Sequence, residues 1–330
     1  MPMKDMPIEK LKNYAGSTPR PEDFREFWEK RASEAKEFPL RYGIMESEIP
    51  SAGRTAFYDI WMEGIGGSRL HIKYVKPIRD EKIPVILQFH GYPGSSRGWF
   101  EQASFAGMGM AVLAMDCPGQ GGLSLDGEAR TGTTAADHII MGLDGPAEQM
   151  YYVETFMDTC LVVRLAEELP GLDTERIYVN GASQGAGLGI ACTALNQSHI
   201  RRCAALYPFL TDYKRVWEMD RDEIVYTGVK YYTRWFDPEG RRRDEIFKKL
   251  GYIDVQNFAE WISCPVLCGT GLMDIVCPPS SQFAVFSGIK KKKHLIFPEY
   301  GHEEIPAFDD ALILFFGEEE DEKCLERICL

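Results

Sequence analysis

Six short, dense apolar runs, at 84–89, 110–114, 177–179, 203–206, 266–269 and 294–297, alternate with helix-sized stretches through most of this chain. Strands with one solvated face carry polar residues at every second position, so unbroken apolar runs suit parallel strands covered on both faces. Parallel neighbours cannot be joined by a hairpin, and the intervening stretches must therefore be crossovers. Two of these read as helices: 149–168, which has helical spacing and stops at Pro170-Gly171, and 184–195, which is rich in small residues. The pattern predicts an α/β protein with a mostly parallel, doubly wound sheet.

Three earlier segments, 42–49, 56–62 and 70–75, favour extended structure and are separated by Ser51-Ala52-Gly53 and Gly64-Ile65-Gly66-Gly67. They predict leading antiparallel strands. Ahead of them Phe24, Phe27, Trp28 and Ala32 fall at helical spacing. That predicts a helix over 20–38, with Pro21 at its start, in an N-terminal helical extension covering 1–40. Residues 209–261 interrupt the alternation with a polar, aromatic-rich stretch containing Trp217, Tyr231, Tyr232, Trp235 and Arg241-Arg242-Arg243. At roughly 50 residues, without a Ser/Gly linker, it reads as a helical insertion within a single domain spanning 1–330.

Composition excludes several function classes. The formal charge of -13, from 37 Lys and Arg against 50 Asp and Glu, would repel a polyanion, so no nucleic-acid partner is expected. Lys290 to Lys293, between apolar stretches, reads as a solvated turn, and Glu318 to Glu322 as a solvated acidic tail. The 9 cysteines are odd in number and show no zinc spacing, which predicts reduced, buried thiols and no metal. No cofactor is expected, since Gly185-Ala186-Gly187-Leu188-Gly189 lacks the dinucleotide-binding spacing. Residues 1–14 lack a signal-peptide core, which makes the cytoplasm the expected location. Residues 177–200 carry no Asp, Glu, Lys or Arg, but Asn180, Ser183, Gln184, Asn196, Gln197 and His199 rule out a membrane span.

The chemistry concentrates at Gly181-Ala182-Ser183-Gln184-Gly185, a Gly-x-Ser-x-Gly pentapeptide between an expected strand and an expected helix. A serine at such a turn projects its hydroxyl above the sheet, and glycines are needed where a Cβ would strike neighbouring backbone. Serine is a weak nucleophile at neutral pH and needs a base and an orienting acid, supplied in this architecture in the order Ser, Asp, His. Asp274 follows the run 266–269 and its loop, and His302 follows the last run in Tyr300-Gly301-His302-Glu303. His71, His138, His199 and His294 need no role beyond exposure or core hydrogen bonding. Phe89-His90-Gly91-Tyr92-Pro93-Gly94 ends another run, and its loop would provide one oxyanion donor, the Tyr92 N–H, with the Gln184 N–H as the second. Each loop also admits a purely structural reading, as a turn or, for Asp274, a helix cap.

With their surroundings these residues resemble carbohydrate esterase family 7, the acetyl xylan esterases and cephalosporin C deacetylases of the α/β-hydrolase superfamily. The resemblance runs through His90-Gly91-Tyr92, Asp116-Cys117-Pro118-Gly119-Gln120-Gly121, the serine pentapeptide, Gly271-Leu272-Met273-Asp274 continuing to Ser280, and Gly301-His302-Glu303. It implies Ser183, Asp274 and His302 as catalytic residues and Tyr92 and Gln184 as oxyanion donors; independently of it, Tyr92 and the aromatic insertion are the expected walls for substrate. It also implies a homo-oligomer, a ring-like hexamer admitting small acetylated sugars or related acetate esters. Pro118 stands where the family has arginine, which leaves the support of the neighbouring loops open. An α/β-hydrolase peptidase, another short-chain carboxylesterase and a catalytically silent binding protein share the scaffold.

Overall fold

The computed structural model describes residues 4–220, 224–317, 320–321, 323–326 and 328. Its strands are β1 (Tyr42–Glu46), β2 (Thr55–Glu63), β3 (Arg69–Pro77), β4 (Ile83–Phe89), β5 (Ala111–Met115), β6 (Leu172–Ala182), β7 (Ile200–Leu206), β8 (Val266–Gly271) and β9 (Lys292–Phe297). Among the described residues these form one sheet in the order β1-β2-β3-β5-β4-β6-β7-β8-β9. β1, β2 and β3 pair antiparallel in series, as β3 does with β5. From β5 to β9 every pair is parallel.

The helices are α1 (Ile8–Leu11), α2 (Phe24–Glu37), α3 (Trp99–Gly107), α4 (Tyr151–Glu168), α5 (Gln184–Leu195), α6 (Tyr213–Glu218), α7 (Thr227–Phe236), α8 (Arg243–Leu250), α9 (Pro279–Gly288) and α10 (Pro306–Gly317). Side chains alternate across a strand, so the apolar run of β4 feeds two cores. Val85, Leu87 and Phe89 join a cluster with Trp28 of α2, Phe156 of α4 and Leu188 of α5. Ile86 joins the opposite cluster, with Phe105 of α3 and Phe308 and Phe315 of α10. Each fully buried side chain of this kind stabilises by about 1.5–3 kcal/mol, which accounts for the apolar run of β4, interrupted only by the half-buried Gln88. This is the doubly wound α/β-hydrolase arrangement.

Local departures have physical causes. The N-terminal helix begins at Phe24 with Asp23 as its cap, because Pro21 closes a preceding turn through its carbonyl, which accepts from Phe24 N. Pro21 is therefore not a first-turn proline. Lys292 and Lys293 lie in β9 rather than in a turn. β9 is an edge strand, and lysines on an edge discourage pairing with other chains. The segment between β7 and β8 carries α6, α7, α8 and a 3-10 helix at Val255–Trp261, and α2 packs on it through Phe24 and Phe258, whose centroids are 5.0 Å apart. Residues 221–223, within that segment, and Glu318, Glu319 and Glu322 of the acidic tail lie outside the described residues. Among the described residues no helix is long and apolar enough to cross a membrane, and no three His, Cys, Asp or Glu side chains gather as a metal site.

Candidate active site

Ser183 sits at the turn from β6 to α5 with φ 57° and ψ -124°, a conformation that side chains with a Cβ rarely adopt. The neighbouring glycines permit it. A Cβ on Gly181 would fall 2.2 Å from the Gly185 carbonyl, and one on Gly185 would fall 2.0 Å from the Phe89 carbonyl oxygen. The turn is also braced by backbone: Ser183 N donates to Leu206 O at 3.0 Å, and Ser183 O accepts from Ala186 N, Gly187 N and Phe209 N at 3.0, 3.1 and 3.0 Å.

The structure brings Ser183, His302 and Asp274 together. His302 Nε2 lies 3.0 Å from Ser183 Oγ, and His302 Nδ1 lies 2.9 Å from Asp274 Oδ2. Asp274 is fully buried. Its Oδ1 accepts from Val276 N at 2.9 Å and Cys277 N at 2.8 Å, and Oδ2 also accepts from Gln282 Nε2 at 3.1 Å. An acceptor so saturated favours a proton on His302 Nδ1, which leaves Nε2 free to take one from Ser183. Met273 N donates to Tyr300 O at 2.9 Å and ties the two loops. The Tyr207 ring packs on the imidazole, 4.4 Å between centroids.

Among the described residues no group accepts from the Tyr92 or Gln184 amide N–H, so both donors stay available beside Ser183. The Gln184 side chain is fixed beneath them: its Nε2 donates to Gln120 Oε1 at 2.8 Å, while its Oε1 accepts from Gln120 Nε2 at 2.9 Å and Tyr152 Oη at 2.7 Å. His90 joins the loops after β4 and β5. Its Nε2 accepts from Cys117 N at 2.9 Å, so Nδ1 carries the proton and donates to Gly91 O at 2.8 Å. Burial lowers the His90 pKa, in keeping with this neutral tautomer.

Sequence reasoning missed several supports. His138 Nδ1 lies 3.1 Å from Tyr92 Oη, and burial pushes the His138 pKa down to about 4, so a neutral imidazole fixes the Tyr92 ring. The Tyr92 ring also stands against Phe209, 5.8 Å between centroids. His71 is clamped between two carboxylates, with Nε2 at 2.7 Å from Asp59 and Nδ1 at 2.8 Å from Asp116. Asp116 also accepts from Ser96 N at 2.6 Å and Leu123 N at 3.0 Å, which anchors the loops after β4 and β5. The loop bearing Pro118 is held without an arginine at that position: Pro118 O accepts from Tyr151 Oη at 2.7 Å, and Gln120 binds Gln184. No periodicity marks these partners, which come from distant elements. A cavity of about 570 Å³ between α3 and α10 shares the wall of Gly91, Ala182 and Tyr207 with this site.

Comparison with known proteins gives a consistent match. The family model described as acetyl xylan esterase (AXE1) matches residues 1–319. Acetyl esterase Axe7A of Xylanibacter ruminicola is 28% identical over 307 residues, covering 89% of this chain, and the matched stretch is 65% of that protein's own length. Acetyl xylan esterase 1 from Thermoanaerobacterium sp. JW/SL YS485 superposes with a TM-score of 0.92 at 41% identity, covering 95% of this chain and 99% of that one. The acetyl xylan esterase from Paenibacillus sp. R4 superposes with a TM-score of 0.89 at 29% identity, covering 94% and 99%.

Proposed function

The chain belongs to the acetyl xylan esterase family, and on that premise we propose that it is a serine carboxylic ester hydrolase removing acetyl groups from small acetylated sugars and related acetate esters. The observation that carries this reading is the hydrogen-bonded line from Ser183 Oγ through His302 to Asp274. In this reaction His302 Nε2 takes the Ser183 proton as Oγ attacks the acetyl carbonyl, and Asp274 stabilises the resulting imidazolium. The oxyanion forms against the Tyr92 and Gln184 amides, each worth roughly 3 kcal/mol in comparable sites. His302 then protonates the departing alcohol, leaving acetyl-Ser183. Water activated by His302 attacks this ester and releases acetate.

The substrate range belongs to the same proposal: acetylated xylo-oligosaccharides and acetates of the cephalosporin C kind. Self-association, up to a hexamer, is supported by the open edge of β1, where Ile44 and Met45 face solvent. Cytoplasmic residence is supported by the unbridged, buried thiols of Cys117, Cys160, Cys192, Cys203 and Cys268.

The decisive experiment measures acetate release from acetylated xylo-oligosaccharides, p-nitrophenyl esters and blocked peptides, by wild type and Ser183→Ala, with mass-spectrometric mapping of a phosphonate probe. Acetate release lost in Ser183→Ala, with the probe on Ser183, is the expected result. Peptide cleavage in its place, or labelling elsewhere, overturns it.

A further inference from the structure

A carboxylate outside the reacting line fastens the N-terminal segment to the active site. Asp212 is fully buried. Its Oδ1 accepts from Ser17 N and Ser17 Oγ at 2.9 Å each, from Thr18 N at 3.0 Å and from Thr18 Oγ1 at 3.3 Å; its Oδ2 accepts from Tyr14 Oη at 2.8 Å. Lys214 N donates back to Thr18 Oγ1 at 3.0 Å and closes the clasp. Asp212 directly precedes α6, yet its side chain makes no capping bond to that helix. An ordinary helix-capping role does not explain it.

The clasp ends a strained loop. Tyr207, Leu210 and Asp212 have φ of 36°, 67° and 49°, all in the left-handed region, and such residues persist only where surrounding contacts over-determine them. This loop delivers three groups to the site: the Tyr207 ring against His302, the Phe209 ring against Tyr92, and the Phe209 N–H donating to Ser183 O. A second tie runs from the same segment. Asp5 Oδ2 accepts from Ser280 N at 2.8 Å and Oδ1 binds Arg215 at 3.0 Å, next to the turn that presents Asp274.

We propose that Asp212, clasped by Tyr14, Ser17 and Thr18, is a positioning residue of the esterase reaction. It holds the 207–212 loop in its left-handed turns, and through Tyr207 and Phe209 it sets His302, Tyr92 and Ser183 relative to one another. Residues 5–18 are thereby a working part of the active site, although none of them touches a reacting atom. This inference rests on the esterase reading above.

The test compares wild type, Tyr14→Phe, Thr18→Val, the double variant and Thr18→Ser in the full chain. The readouts are the rate of phosphonate labelling at Ser183, the kcat and KM for p-nitrophenyl acetate, and the Tm. The expected result is labelling and kcat reduced about tenfold or more in the double variant, KM held within about twofold, and Thr18→Ser close to wild type, because a displacement below 1 Å at the reacting atoms slows chemistry more than binding. Tyr14→Phe, at a half-buried residue, carries the test if Thr18→Val does not fold. A lowered Tm with wild-type labelling and kcat overturns the proposal, as does Thr18→Ser as slow as Thr18→Val. Failure of wild type itself to label at Ser183 overturns the esterase reading and this inference with it.

Discussion

A Cβ placed on Gly185 would lie 2.0 Å from the carbonyl oxygen of Phe89. The first turn of α5 thus meets the end of β4 backbone against backbone, and this closeness brings the Gln184 amide beside the loop that carries the Tyr92 amide. One contact thus links the packing of α5 to the position of the two proposed oxyanion donors.

Gly185→Ala is therefore expected to cost about 1–3 kcal/mol or more through overpacking, and to lower esterase turnover because α5 must retreat from β4. Urea denaturation and p-nitrophenyl acetate kinetics check both effects. A variant with wild-type midpoint and wild-type kcat would show that the backbones separate freely.

Asp274→Asn should keep its fold, since the amide oxygen can still accept from Val276 N and Cys277 N. Its kcat should fall by about 10⁴-fold with little change in KM, because an asparagine amide no longer holds the His302 tautomer that exposes Nε2 to Ser183. Circular dichroism and steady-state kinetics on the purified variant decide this, and a loss below tenfold would remove Asp274 from the mechanism.

The serine turn and the loops bearing Asp274 and His302 were legible because each lies directly after a strand whose apolar run is unmistakable. Glycines around Ser183 announced the close backbone approach before any coordinates did. The supports were not legible. Tyr14 and Asp212, or Gln120 and Gln184, lie far apart in sequence and obey no period, so only the folded chain brings them together. His138 reads in the sequence as needing no role beyond exposure or core hydrogen bonding, because nothing local indicates that its ring faces Tyr92. Lys292 and Lys293 misled because edge strands borrow the composition of turns.

Arg130 is buried, with Nη1 at 3.0 Å from both oxygens of Asp126 and Nη2 bonded to Glu154. Burial pushes the Glu154 carboxyl up to about 7 even though Arg130 pulls it down. In Arg130→Met the buried carboxylates lose their cation, at a cost of about 3–5 kcal/mol at pH 8. A raised carboxyl pKa means that the folded state favours the protonated form, so the deficit should shrink as the pH falls through 7 towards 5. Urea midpoints at the two pH values measure it; equal deficits would contradict the account.

The Asp59–His71–Asp116 clamp gives stability a second pH dependence. Burial alone would raise the Asp116 carboxyl, but hydrogen bonds from His71, Leu123 and Ser96 outweigh it and hold the group well below the ordinary carboxylate range. Burial alone would lower His71, but Asp116 and Asp59 outweigh it and raise the imidazole. The Asp116 contribution is complete above the ordinary carboxylate pKa of about 4 and is lost as the pH falls towards the folded value. The His71 contribution is complete below the ordinary imidazole pKa of about 6.5 and is lost as the pH rises through the folded value. Asp116→Asn should accordingly flatten the acid limb of the stability profile, and an unchanged limb would exclude the clamp.

β7 and β8 are direct neighbours, Cys203 opposite Val266, although the chain runs through α6, α7 and α8 before returning from one to the other. Ladder spacing, and not the length of that excursion, sets how far Ser183 stands from Asp274. Beyond the Asp212 clasp, the excursion can therefore be lengthened or trimmed without the strand ladder changing the separation of Ser183 from Asp274.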